Sequence, residues 1–205
     1  MATATRTRPS VAKNEEGLRP YLINVRQFEQ MITAQIIPED TRVELLGGVL
    51  AEKMTKYTPH NFSVNQLDDI LRTLVAPNWV VSNEKPVVLG KFWRPEPDIA
   101  VARGPRERYR KHDPAAADLA LVIEVAESSY ALDRVTKWAG YAAAKVPVYW
   151  IVNLGERVIE VHSDPTGRGK TARYRVTERF AEGDSIPVVL GGTQAGKIAV
   201  KDILP

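Results

Sequence analysis

Hydrophobic and polar positions alternate along this chain in two clear rhythms. Val25, Phe28, Met31 or Ile32, and Gln35 or Ile36 recur at helical spacing, with Asn24 placed to cap the segment and Pro38 to close it. Arg42 to Leu46 and Val49 to Met54 flank Gly47-Gly48, the signature of a two-residue β-hairpin. A second helix is predicted from Thr58 to about Val75, with Val64, Leu67, Leu71 and Leu74 on its apolar face and Asp68, Asp69 and Arg72 on its wet face. Trp79–Ser82, Pro86–Leu89 and Ile99–Ala102 read as short strands. Leu119–Ala126 is apolar at every position but one, too short for a typical helix and rich in β-branched residues. It predicts a central strand covered on both faces.

A helix is predicted over Ala131–Lys145 behind the N-capping hydroxyls of Ser128-Ser129, and Pro147 ends it before a buried strand over Val148–Val152. Strand, helix and returning strand form a right-handed crossover in nearly all proteins. Within that helix Leu132, Val135, Trp138 or Ala139, and Ala142 make an apolar stripe expected to pack on the sheet. Asp133, Lys137 and Tyr141 make a polar stripe at four-residue spacing. Arg157–Ser163 alternates and pairs with Arg173–Thr177 around an Asp164-Pro-Thr-Gly turn. Phe180–Leu204 reads as a peripheral strand and a closing segment around Gly191-Gly192.

The chemistry begins with Glu124, the one charged residue inside the apolar strand. A buried carboxylate takes up a proton unless a cation or hydrogen-bond donors meet it, and Lys137, about two turns into the next helix, is placed to lean over that strand end. Asp98 leads the strand Ile99–Ala102; alone it reads as a turn or cap residue, and it gains interest from the neighbouring strand that carries Glu124. Glu44, taken alone, reads as a solvent-facing hairpin position, and His60, in the first turn of the second helix, as a capping or surface group. Tyr141 is expected to pack against the sheet, with phosphate contact as the alternative. Asp133 with Lys137 has a plain alternative as an exposed ion pair at i,i+4.

Composition narrows the field. The 205 residues are 44% hydrophobic and 26% charged, ordinary for a soluble globular protein, and long enough for one domain (21–205) behind a disordered leader (1–20). No cysteine is present, which excludes disulfides, thiol catalysis and cysteine-held metal. The three histidines lack metal-ligand spacing on a helix. No apolar run reaches membrane-spanning length, no secretory signal is read, and the expected compartment is the cytoplasm. A net charge of +3 is compatible with a polyanionic partner without requiring one. The loop Arg103–His112 is strongly basic, and because it joins the two acid-bearing strands it is expected to border their site. Two readings of Arg103, Arg106, Arg108, Arg110 and Lys111 stay open: plain solvation, or contact with phosphates. Arg168, Lys170, Arg173 and Arg175 read as surface charge. Walker-type, dinucleotide-binding and Gly-x-Ser-x-Gly motifs are absent.

Glu44 in Val-Glu-Leu-Leu-Gly-Gly, Pro97-Asp98, Leu121-Val-Ile-Glu124-Val, Asp133-Arg-Val-Thr-Lys137 and Val146-Pro-Val-Tyr-Trp-Ile-Val together resemble the Uma2 family, bacterial proteins placed among the PD-(D/E)XK nucleases. The resemblance runs from about Val25 to Leu204. It implies a restriction-endonuclease-like core, a mixed central β-sheet flanked by helices, preceded here by the N-terminal helix and hairpin. It carries Asp98 onto the motif's aspartate, Glu124 onto its second acid and Glu44 onto an auxiliary early glutamate. Ala126 stands where the motif's lysine usually falls, and Lys137 fits a lysine supplied from the following helix. The implied activity is Mg²⁺-dependent (or Mn²⁺-dependent) hydrolysis of DNA phosphodiester bonds. The metal would be held by Asp98, Glu124 and a backbone carbonyl, that of Val125, and duplex cleavage would favour a homodimer. Two other classes stay open: a non-catalytic nucleic-acid-binding or protein-interaction domain on the same fold, and metal-assisted phosphoester hydrolysis of a small substrate.

Overall fold

A computed structural model describes residues 20–38, 40–75 and 77–205; apart from Pro20, the expected leader lies outside them. Helix α1 (Val25–Thr33) starts at a reciprocal cap: Asn24 Oδ1 accepts the Gln27 N–H, and Gln27 Oε1 accepts the Asn24 N–H, each at 3.0 Å. It ends before the expected Ile36, where Gln35 turns through a positive φ of 55°. The hairpin β1 (Val43–Leu46) and β2 (Val49–Glu52) closes through Gly47 and Gly48, at φ 63° and 87°. Two left-handed residues in succession are what a two-residue hairpin turn demands. Helix α2 (Thr58–Leu74) follows and buries His60, Ser63, Val64, Leu67 and Leu71.

The remaining strands build one six-stranded sheet in the order β3 (Trp79–Asn83), β4 (Ile99–Arg103), β5 (Leu119–Ala126), β6 (Val148–Asn153), β7 (Val158–Thr166), β8 (Arg173–Ala181). Only β5 and β6 run parallel; all other pairs are antiparallel. The β5–β6 crossover is a π-helical segment, Leu132–Lys137, continuing into α3 (Trp138–Ala143). A separate hairpin, β9 (Ser185–Leu190) and β10 (Thr193–Ala199), turns at Gly191-Gly192, where a single peripheral strand was expected.

Two apolar layers sandwich the sheet. Ile99, Val101, Leu121, Ile123, Trp150 and Val152 pack against α2 and the β9–β10 hairpin. Ala100, Val122, Ala126, Tyr149 and Ile151 pack under Tyr141 and Ala142 of α3. Burying one such aliphatic side chain contributes about 1.5–3 kcal/mol, so β5, buried at all eight positions, is the spine of both layers. The expected strand Pro86–Leu89 does not form. Val87 donates to Pro95 and Val88 to Pro114, so neighbouring residues are tied to different segments and no ladder propagates beyond the isolated Val88–Ala115 bridge. Among the described residues, no helix is long and apolar enough to cross a membrane.

Candidate active site

The register of the sheet brings the two central acids together. β4 pairs antiparallel with β5 at Ile99↔Ile123. One further residue along that register sets Asp98 opposite Glu124. Asp98 Oδ2 accepts the Val125 N–H at 2.7 Å and meets His60 Nε2 at 3.1 Å; Oδ1 meets Lys56 Nζ at 2.5 Å. Burial opposes charge on Asp98, but the His60 hydrogen bond and the Lys56 charge prevail and hold its carboxyl well below the usual range. Glu124 Oε1 accepts both the Lys137 ammonium at 3.1 Å and the Tyr141 hydroxyl at 2.8 Å.

Lys137 sits at the centre of a ring of acids. Its Nζ lies 3.1 Å from Glu44, 3.1 Å from Glu124 and 3.6 Å from Asp133. Glu44, on β1, is buried and not solvent-facing: its Oε1 meets Lys137 and its Oε2 accepts the Glu96 N–H at 3.1 Å. Asp133 Oδ2 accepts the Ser129 hydroxyl at 2.6 Å, while its buried Oδ1 has no hydrogen-bond partner. Burial and the surrounding acids push Glu124 up to about 8 and Asp133 up to about 6, against the pull of Lys137. The same acids outweigh the desolvation of Lys137 and push its ammonium up. Three carboxylates thus surround one ammonium.

The crossover helix is rotated from the expected orientation at its start, although Ala142 of the expected apolar stripe is buried. Asp133, Lys137 and Tyr141 are buried against the sheet, whereas Val135 is 66% exposed. The rotation follows from the π turn. Trp138 N–H reaches back five residues to the Asp133 carbonyl, which also accepts the Tyr149 hydroxyl at 3.1 Å. An apolar stripe loses this competition because a carboxylate already lies in the strand beneath, and leaving it unpaired costs more than exposing a valine. Asp133 with Lys137 is therefore no surface pair, and Tyr141 acts as a donor to Glu124 as well as a packing group.

Besides Asp133, two residues join the site beyond those expected there. His60 is buried on α2 beside Asp98, not a surface cap. Its position was legible, because 60, 64, 67 and 71 continue one buried stripe. Lys56 precedes α2 and bridges Asp98 and Glu84, at 2.5 and 2.6 Å; nothing local marks it. The basic loop is placed differently from expectation. Asp98 precedes β4 and Glu124 lies near the end of β5, so the loop leaving Arg103 and entering Leu119 lies at the opposite end of the sheet, roughly 15 Å of strand away. Arg103, Arg106, Arg108, Arg110 and Lys111 do not line the cleft, and Arg103 lies over the Trp79 ring instead.

The donor set suits a hard divalent cation. Glu44, Asp98, Glu124 and Asp133 face Lys56 and Lys137, so four acids meet two lysines, and the buried Asp133 Oδ1 has no hydrogen-bond partner. Among the described residues no three His, Asp or Glu groups close on one point at metal-binding separation. The ammonium groups of Lys137 and Lys56 lie on the oxygens instead.

A search of curated proteins finds no relative. Among solved structures, the chain is similar to a crystal structure from Anabaena variabilis described as "a putative nuclease belonging to DUF820". The TM-score is 0.63 at 18% identity, covering 88% of this chain and 97% of that one, which shows a shared fold. The family model described as "Putative restriction endonuclease" matches residues 25–199, and the chain thus belongs to the Uma2 family.

Proposed function

We propose that the protein is a divalent-metal-dependent endonuclease that hydrolyses phosphodiester bonds of DNA. The observation that carries this reading is the convergence of Asp98, Glu124, Glu44 and Asp133 with Lys137 in one buried cleft. The family's description as a restriction endonuclease points the same way, toward DNA and toward a homodimer for cutting two strands. Mg²⁺ or Mn²⁺ would be held by Asp98 and Glu124, with the Val125 carbonyl on the same strand edge as the N–H that serves Asp98. When bound, the ion supplies Lewis-acid neutralisation of phosphate charge and a more acidic water.

The chain's own residues account for the rest. Val125 N–H and His60 fix the Asp98 carboxylate, and the Tyr141 hydroxyl fixes that of Glu124, so both present defined oxygens to the cleft. Lys137 places an ammonium between Glu124 and Glu44, where it orients the attacking water and stabilises charge growing on the phosphoryl oxygens. Glu44 holds that ammonium from the hairpin side.

The test is cleavage of a plasmid and of linear DNA with Mg²⁺, with Mn²⁺ and with chelator, for the natural chain and for Glu124→Ala. Metal-dependent cutting that falls to background in the variant is expected. Equal DNA binding by both proteins, with no cutting by either, would replace the enzyme with a binding module.

A further inference from the structure

The sheet face that carries Glu124 holds a second buried carboxylate that the proposed reaction does not use. Glu124 pairs with Ile151 and Ile151 with Glu160, so the two acids share a face two strands apart, about 10 Å across the sheet. Glu160 is 4% exposed. Its Oε1 accepts the Tyr130 hydroxyl at 2.7 Å, and its Oε2 meets Arg134 Nε at 3.1 Å and His162 Nε2 at 3.3 Å. Arg134 also lies over the Trp138 ring, 5.4 Å from its centroid.

Tyr130 and Arg134 belong to the same short stretch as Asp133 and Lys137. That stretch meets the sheet at three points: Lys137 on Glu124 of β5, the Asp133 carbonyl on the Tyr149 hydroxyl of β6, and Arg134 with Tyr130 on Glu160 of β7, the last the farthest from Glu124. One contact alone leaves a helix free to roll about it. The apolar stripe Leu132–Val135 favours such a roll, because it would bury Val135 and turn Asp133 and Lys137 away. A π turn is rare and needs tertiary support to persist.

We propose that Glu160 is a positioning residue: through Arg134 and Tyr130 it sets the rotation of the π-helical segment that presents Asp133 and Lys137 to Glu124. What Lys137 is positioned to do rests on the nuclease reading; its placement does not. Glu160 never touches the reacting atoms.

The test uses the full chain and an amine acylating reagent, acetic anhydride, with labelling of Lys137 followed by peptide mass spectrometry well below the melting temperature. In the natural protein the buried ammonium labels slowly. In Glu160→Gln labelling is expected to rise about tenfold, as the segment opens locally. Val188→Ala, a core change on the opposite face of the sheet, serves as the matched destabilised control and leaves Lys137 protected. Equal labelling in Glu160→Gln and the control would overturn the proposal and leave Glu160 a merely structural group. If Glu160→Gln does not fold, Tyr130→Phe, which deletes one hydrogen bond, decides by the same comparison. In the cleavage assay Glu160→Gln is expected to lower kcat with KM unchanged. Absence of cleavage by the natural chain removes the nuclease reading, while the labelling still decides the positioning role.

Discussion

At the scale of single residues, the site is governed by the cost of burying charge. Lys137 is 5% exposed and lies among Glu44, Glu124 and Asp133, so removing its ammonium strands three acids at once. Lys137→Met keeps most of the volume, yet it is expected to destabilise the fold by about 3 kcal/mol, because breaking a buried ion group costs more than the lost attraction. A lowered urea midpoint at unchanged slope would show this; an unchanged midpoint would mean the acids neutralise themselves without cost. Glu124 was legible as a site residue because a lone acid in an apolar strand has no cheap alternative. Glu44 was not legible from its own strand, since between Val43 and Leu45 an acid facing solvent satisfies the alternation; only the family resemblance carried it to the site. Asp98 gained meaning only from the strand beside it.

Between elements, Trp93 joins the hairpin that carries Glu44 to the helix that follows Lys137. Its ring lies 3.6 Å from the position a Cβ would take on Gly47, and a Cβ on Gly140 of α3 would approach its carbons to 2.6 Å. The hairpin also bonds to this segment directly, Arg94 N–H to Leu45 O at 2.8 Å and Gly48 N–H to Phe92 O at 2.8 Å. Gly140→Ala therefore sets two effects against each other. Helix propensity favours alanine by about 1 kcal/mol, while overpacking against a rigid indole costs about 1–3 kcal/mol. The clash is expected to win, lowering the melting temperature by a few degrees. A rise in melting temperature would show that Trp93 is free to yield and does not brace the two elements. The βαβ unit itself was legible from strand, helix and Pro147. The rotation of its helix was not: hydrophobic periodicity assigns the apolar stripe to the sheet, and the acids on the sheet reverse the assignment.

Across the whole molecule, acid sensitivity provides a test far from the cleft. His162 is fully buried on β7 beside Tyr149 and Tyr174, with Thr177 Oγ1 at 2.9 Å from Nδ1. Burial first and the Arg134 charge second push it down to about 4 from 6.5, against the pull of Glu160. A histidine depressed in the folded state binds fewer protons than in the unfolded chain between those two values. Its contribution is thus fully present above pH 6.5 and is lost as pH falls toward 4, up to about 3 kcal/mol in all. Glu124 and Asp133, pushed up by burial, act in the opposite sense, so the quantity to measure is the difference between the natural chain and His162→Phe. In urea unfolding at pH 7, 6, 5 and 4.5, that variant is expected to lose less stability on acidification; parallel curves would contradict it. Much of the architecture was written locally. Apolar runs of strand length, Gly-Gly turns, a capped first helix and a proline-ended crossover are set by neighbours a few residues apart, and the sequence alone determined them. What only the tertiary structure decided involves groups distant along the chain. Sheet register sets Asp98 beside Glu124, and the packing of the separate hairpin and of α2 on the sheet brings Glu44, Lys56 and His60 to them and to Lys137. The antiparallel course of β4 and β5 sends the basic loop to the far end of the sheet. The helix turns its charged face inward because buried carboxylates on β5 and β7 must be met, and that requirement does not exist until the sheet has assembled.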